Sequence, residues 1–270
     1  MEVKNDFFIG WQKDIEPGLK NRLHWLVVAL FILIAAISIS IPYFHYRYDN
    51  GKFELTTIST LRGVLRMDPA PMLEYDLGLD RNGLPVHQSV LLVSPGKFGA
   101  VKTLEKQSEW LRLNGKQVEM NGHLIYAHGH TLLEIAAIHP LDSIASTGSS
   151  SPLIPLGKVT LTGEIADPKC LLGVMNPGEG KVHRDCAIRC LSGGITPVLH
   201  VHNGKGDHEY YLLVGNNNIP IRDLLIPYVA DQVGLCGNLS KWGDWYILTP
   251  DLNTISRLNS YQLPPVSVCK

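Results

Sequence analysis

Five cysteines occur in the chain, at 170, 186, 190, 236 and 269, and all fall in its second half. In the segment VHRDCAIRC, Cys186 and Cys190 are four apart and His183 precedes Cys186 by three. On a helix these spacings put all three on one side. The run from Arg184 to Leu191 has no proline or glycine and is followed by Gly193-Gly194, so a short helix is expected there. If Cys170 reaches the same place across the flexible loop Pro177-Gly178-Glu179-Gly180, three sulfurs and an imidazole converge, with Cys236 as the expected fourth sulfur and His183 at the rim. Soft thiolates with imidazole suit Zn²⁺ or Cu(I). The short cysteine spacings of iron–sulfur ligation and the Cys-x-x-Cys-His of covalent haem are both absent.

Two other chemistries could use the same residues without a metal. Outside the cytoplasm thiols tend to pair, which would make Cys170 and Cys236 the disulfide partners of the helix cysteines. Alternatively, Cys186 or Cys190 could act as a redox-active thiol. Cys269, next to the terminus, is expected to be incidental or intermolecular. His200 and His202 share one face of a strand, with His208 across the hairpin; they could complete a metal site but are expected on a solvated face, and His123, His128 and His130 border another hairpin, where polar turn residues are expected rather than a metal site. No Gly-x-Ser-x-Gly, His-Glu-x-x-His or Walker A pattern is present, and Asp244-Trp245 reads as an ordinary loop. The expectation therefore leans to a binding subunit rather than an autonomous enzyme.

The elements that must position these residues repeat. Gly63 to Asp68-Pro69 parallels Gly163 to Asp167-Pro168, and His87 with Leu91-Leu92-Val93 parallels His208 with Leu212-Leu213-Val214. Gln117-Val118-x-Met120-x-Gly122-x-Leu124 likewise parallels Gln232-Val233-x-Leu235-x-Gly237-x-Leu239, each followed by a turn glycine, Gly129 or Gly243. Val159, Leu161 and Ile165 alternate with Thr160, Thr162 and Glu164, which predicts a half-buried strand with the second set outward. Five strands with a connection between the third and fourth describe an OB-type barrel. The fold class is therefore mainly β, with two tandem OB-like five-stranded barrels at 53–138 and 155–260, a linker at 139–154 and a tail at 261–270. The Ser/Gly-rich linker is expected to let the barrels reorient.

Upstream, residues 25–44 carry no charged side chain and can cross a hydrocarbon core of roughly 30 Å. A transmembrane helix is expected at 23–45, after a cytoplasmic arm at 1–22; cleavage after a small-residue site at Ser38-Ile39-Ser40 is the alternative. Lys20 and Arg22 just before the span, with Lys4 and Lys13 upstream, against Arg47 and Lys52 after it, weakly favour barrels outside the cytoplasm. A net charge of −1, from 24 Lys+Arg against 25 Asp+Glu, offers no field for nucleic acid.

The motif Gly163-x-Ile165-x-Asp167-x-x-Cys170, His183-x-x-Cys186-Ala187-x-x-Cys190, a glycine pair and a Pro-Val-Leu strand resembles a group of uncharacterised bacterial envelope proteins with OB-like domains. The resemblance covers about residues 157–250 and implies a location and a cysteine motif, not a reaction. The expected protein is a single-pass subunit of the bacterial inner membrane with its C-terminal domains in the periplasm. It would hold or deliver Zn or Cu for a membrane or periplasmic oxidoreductase, bind a protein partner in that complex and bind no nucleic acid. A disulfide-stabilised scaffold or a thiol-redox enzyme is the alternative.

Overall fold

Two ring-closed sheets follow from the repeated pattern. The computed structural model describes residues 17–45, 51–79, 81, 85–141, 151–202, 207–216 and 221–258. Helix α1 (Pro17–His45) is followed by β1 (Lys52–Phe53), β2 (Ser59–Arg66), β3 (Met72–Leu79), β4 (Pro85–Ser94), β5 (Phe98–Gly99) and α2 (Val101–Leu104). Next come β6 (Gln117–Ala127), β7 (His130–Pro140), β8 (Ile154–Ala166), α3 (Arg184–Ser192), β9 (Val198–His202) and β10 (His208–Leu213). The described chain ends with α4 (Arg222–Leu225), β11 (Gln232–Trp242) and β12 (Trp245–Arg257).

α1 starts earlier than expected, so Lys20 and Arg22 lie within it. Pro17 takes the first helical position, where the missing N–H costs nothing. The helix is long and apolar enough to cross a membrane, a property it shares with signal sequences. It forms one compact unit and the residues from Asn50 onward form another.

In the first barrel β2 pairs with β3 and β6, β3 with β4, and β7 closes the ring antiparallel to β6 and parallel to β4. The second repeats this connectivity: β8 pairs with β9 and β11, β9 with β10, and β12 lies antiparallel to β11 and parallel to β10. First strand beside fourth, and third parallel to fifth, is the OB order. Registers match as well, for Gly63 pairs with Val118 and Gly163 with Val233. Both glycines are needed for room: a Cβ at Gly63 would stand 2.2 Å from the Glu74 carbonyl oxygen, and one at Gly163 would stand 2.4 Å from that of His200.

Three expectations about this region are corrected. Val159 and Leu161 do pack toward the second core and Thr160 is exposed, but Glu164 is buried because a loop from the site folds over it. Burial pushes its carboxyl above the usual range. Nor are the barrels free to reorient. Met72, Leu91 and Leu132 of the first share one apolar cluster with Cys170, Tyr210, Trp245 and Ile247 of the second. Trp245 is fully buried, and its indole Nε1–H donates to the Ser89 carbonyl at 2.9 Å, while Asp244 Oδ1 accepts the Ser89 N–H at 2.9 Å. The Asp244-Trp245 pair is therefore a clasp between barrels rather than an ordinary loop. Residues 142–150 of the linker lie outside the described residues.

Candidate metal centre

The site grows out of the connection between the first two strands of the second barrel. Between β2 and β3 this connection runs only from Met67 to Pro71; between β8 and β9 it runs from Asp167 to Pro197 and carries α3. Asp167 starts it, with Oδ1 accepting the backbone N–H of Lys169 at 2.9 Å and of Cys170 at 3.4 Å. A wide π-type helical turn over Cys170–Val174 follows. Pro177–Gly180 then folds back over Cys170, so closely that a Cβ at Gly178 would stand 2.4 Å from the Cys170 carbonyl oxygen. This loop, expected to be flexible, is tied at its far end: Gly180 N–H donates to Glu164 at 2.7 Å and Glu179 pairs with His200 at 3.0 Å.

His183 closes a single turn of 3₁₀ helix and occupies the N-cap position of α3, placing Cys186 in the first turn and Cys190 one turn later. The end of α3 rests on the first barrel. A Cβ at Gly193 would stand 1.8 Å from the Lys97 carbonyl oxygen, and Gly99 N–H donates to the Gly193 carbonyl at 3.0 Å.

The ligand atoms of Cys170, His183 and Cys186 all lie within 4.8 Å of one another, as do those of Asp167, Cys170 and Cys190. Cys170 belongs to both groups. Its sulfur is 4.0 Å from that of Cys186, and Cys170, Cys186 and Cys190 are free thiols. Two sulfurs on one tetrahedral ion at about 2.3 Å stand about 3.8 Å apart, whereas a disulfide requires about 2.05 Å. The spacing therefore suits a shared ion. Asp167 and His183 are buried, and among the described residues Asp167 Oδ2 and His183 Nε2 have no hydrogen-bond partner. They stand 3.9 Å apart. Leaving one such buried atom unpaired costs about 1–3 kcal/mol, and a cation held between them satisfies both.

Electrostatics around the cluster come from both barrels. Hydrogen bonding with Cys190, then burial and the Asp167 carboxylate, push the Cys170 thiol up. Lys97, reaching over from the β4–β5 turn, places Nζ 2.6 Å from Cys186 Sγ, and that contact raises the lysine above its ordinary value. Lys169 is buried beneath, bound to the Ser94 and Gly96 carbonyls and paired with Glu134.

The expected fourth sulfur is not here. Cys236 is disulfide-bonded and belongs to neither ligand group. It lies opposite Thr160 on β8, six residues before the strand ends at Ala166, or roughly 20 Å along a strand. The pairing of first and fourth strands is as expected, but Cys170 leaves from the far end. His183 is buried rather than at the rim, its Nε2 turned inward to within 3.9 Å of buried Asp167. Cys269 lies outside the described residues. Asp167 stands in the sequence as a landmark of the repeat, matching Asp68, and Lys97 carries no sequence signal because it belongs to the other copy.

The histidine sets depart only in part from a solvated face, for His202 is exposed. His200 is buried, its ring stacked with those of His208 and Tyr210, and His128 from the first barrel stacks on His208 at 4.1 Å. His130 packs 4.3 Å from the Trp245 ring, with Nδ1 buried and without a partner among the described residues. Burial, aided by His128, lowers its pKa to about 4. The unfolded chain takes up this proton near pH 6.5 and the folded chain does not, so the stabilisation present above pH 6.5 is lost as pH falls toward about 4. At about 1.4 kcal/mol per pH unit the loss reaches about 3 kcal/mol. Urea unfolding at pH 7.5 and 4.5 should show this difference, and His130→Phe should remove most of it.

No family model matches the chain, and no curated protein matches it. One solved structure, a deletion mutant of the single-stranded DNA binding protein from Thermus aquaticus, aligns over 82% of this chain and 100% of that chain. Its identity is 15% and its TM-score 0.22, too distant to bear on fold or function.

Proposed function

We propose that the second barrel holds a soft metal ion, Zn²⁺ or Cu(I), between Cys170, His183 and Cys186, with Asp167 and Cys190 as the adjoining donors. The chain is then a membrane-anchored extracytoplasmic binding or accessory subunit. One observation carries this reading: three free thiols meet two buried polar atoms, unpartnered among the described residues, at one end of a barrel. Thiolate sulfur and imidazole nitrogen prefer these ions to hard cations. The apolar helix supports a membrane anchor, and the small excess of Lys4, Lys13, Lys20 and Arg22 over Arg47 and Lys52 beyond it supports barrels on the periplasmic side of a bacterial inner membrane. The likeness of the second half to bacterial envelope proteins favours the same compartment. Such a subunit would deliver or retain the ion for a membrane or periplasmic oxidoreductase.

Elemental analysis with thiol counting on the full chain, purified in detergent without reductant, tests the proposal. Stoichiometric zinc or copper, with three thiols becoming reactive on metal removal, is the expected result. Absence of metal together with blocked thiols would overturn it in favour of a disulfide scaffold. A second reading, thiol–disulfide exchange at Cys186, draws support from Lys97, whose ammonium would stabilise a thiolate. Turnover of a model disulfide, abolished by Cys186→Ser, would decide for that reading.

A further inference from the structure

We infer that the seam of histidines on the second barrel is a second metal site, taking a borderline divalent ion such as Zn²⁺ or Cu²⁺ on His200 and His208, with His202 as the third donor. Two of the three donors are preset. His200 Nε2 lies 2.9 Å from His208 Nδ1. Two imidazole nitrogens on one ion at about 2.0–2.1 Å stand about 2.9–3.4 Å apart, so neither ring has to travel far to share one. The strands hold them there: His200 and His202 project from the same side of β9, and His208 on β10 is the register partner of His202.

The orientation of His200 is that of a buttressed ligand. Glu179 Oε2 lies 3.0 Å from Nδ1, which fixes the proton on that nitrogen and turns the Nε2 lone pair toward His208. The same hydrogen bond holds the Glu179 carboxyl below its usual range, so a negative charge stays beside the site. In the absence of metal His208 Nδ1–H donates to that lone pair. Metal binding moves the His208 proton to Nε2 and frees Nδ1, with no net proton released. His202 is exposed, stacked 4.6 Å from the His208 ring, and a side-chain rotation brings its nitrogen to the ion. An open cavity of about 520 Å³ lined by Glu164, Glu179, His200 and His202 leaves an entry path.

The loop Pro177–Gly180 joins the two sites. Gly178 packs on the backbone of Cys170, and the next residue, Glu179, is the carboxylate that aims His200. A thiolate-rich site and an imidazole site back to back on one loop offer a soft and a borderline station for the same or different ions.

The test is Zn²⁺ binding by equilibrium dialysis of the full chain in detergent. The inference does not depend on the cysteine site, and the variants separate the two. Wild type should bind two equivalents, His200→Ala/His208→Ala one, and Cys170→Ser/Cys186→Ser/Cys190→Ser one. The cysteine variant loaded with Cu²⁺ should give an electron paramagnetic resonance spectrum with nitrogen hyperfine structure that His200→Ala removes. If the cysteine variant binds no ion, or the histidine variant still binds as many as wild type, the histidine site is wrong. If wild type binds only one equivalent and the histidine variant none, the histidine site stands and the cysteine proposal fails. Should a variant not fold, wild type alone decides: Zn²⁺ should protect His202 and His208 from carbethoxylation, and unchanged modification would overturn the site.

Discussion

Cys170→Ser should abolish thiolate ligation, whereas Cys236→Ser should leave it intact. Cys170 is the one sulfur common to both ligand groups, so its loss breaks both, while Cys186→Ser and Cys190→Ser each break one. Changes around a metal ligand typically cost about 10–100-fold in affinity, and loss of the shared ligand should exceed about 100-fold. Sulfur-to-cobalt charge-transfer absorption of the Co²⁺-loaded chain reports the thiolate site without interference from histidines. The intensity should vanish in Cys170→Ser, weaken in Cys186→Ser or Cys190→Ser, and persist in Cys236→Ser. Stability should follow: an ion present at about 1,000 times its dissociation constant adds about 4 kcal/mol, so chelation should lower the thermal midpoint of wild type by more than that of Cys170→Ser, which keeps only the histidine site. Equal absorption in wild type and Cys170→Ser would sink the assignment.

The order of strands was legible because the OB repeat leaves its mark in backbone necessities. Gly63 and Gly163 are forced by a carbonyl close behind them, and Gly129 and Gly243 by turns with φ of 81° and 58°. Constraints of that kind survive when side chains diverge. The convergence of Cys170, His183, Cys186 and Cys190 was legible from helical spacing plus one strand end. Cys236 was misplaced because topology names neighbouring strands without saying where along them two residues stand. Glu164 and His200 were misjudged for a common reason: the loop carrying Glu179 and Gly180, distant in sequence, folds onto both, and period-two alternation carries no information about that. Reading the Ser/Gly-rich linker as licence for free movement failed similarly. Composition sets what a linker allows, but Trp245, Met72 and their shared cluster determine what the barrels do.

Lys169→Met should destabilise the two-barrel unit by about 3–5 kcal/mol, the range for removing one partner of a buried ion pair. Lys169 is 2% exposed, leaves the backbone of the second barrel just before Cys170, and ends wholly among acceptors of the first. Its ammonium donates to the Ser94 carbonyl at 2.8 Å and the Gly96 carbonyl at 2.7 Å, and pairs with buried Glu134. Methionine fills a similar volume but leaves a carboxylate and two carbonyls without their donor. The pair itself adds little over an apolar contact, so Lys169→Met/Glu134→Leu should recover much of the loss, leaving the carbonyls as the residual cost. Because the turn that binds Lys169 also carries Lys97 to Cys186, the single variant should loosen the metal cluster from a distance. Urea unfolding of the full chain in detergent, followed by tryptophan fluorescence for Trp245 and by cobalt absorption for the thiolates, reads both consequences. A loss under about 1 kcal/mol, the scale of exposed pairs, would mean that the seam is not held by this residue.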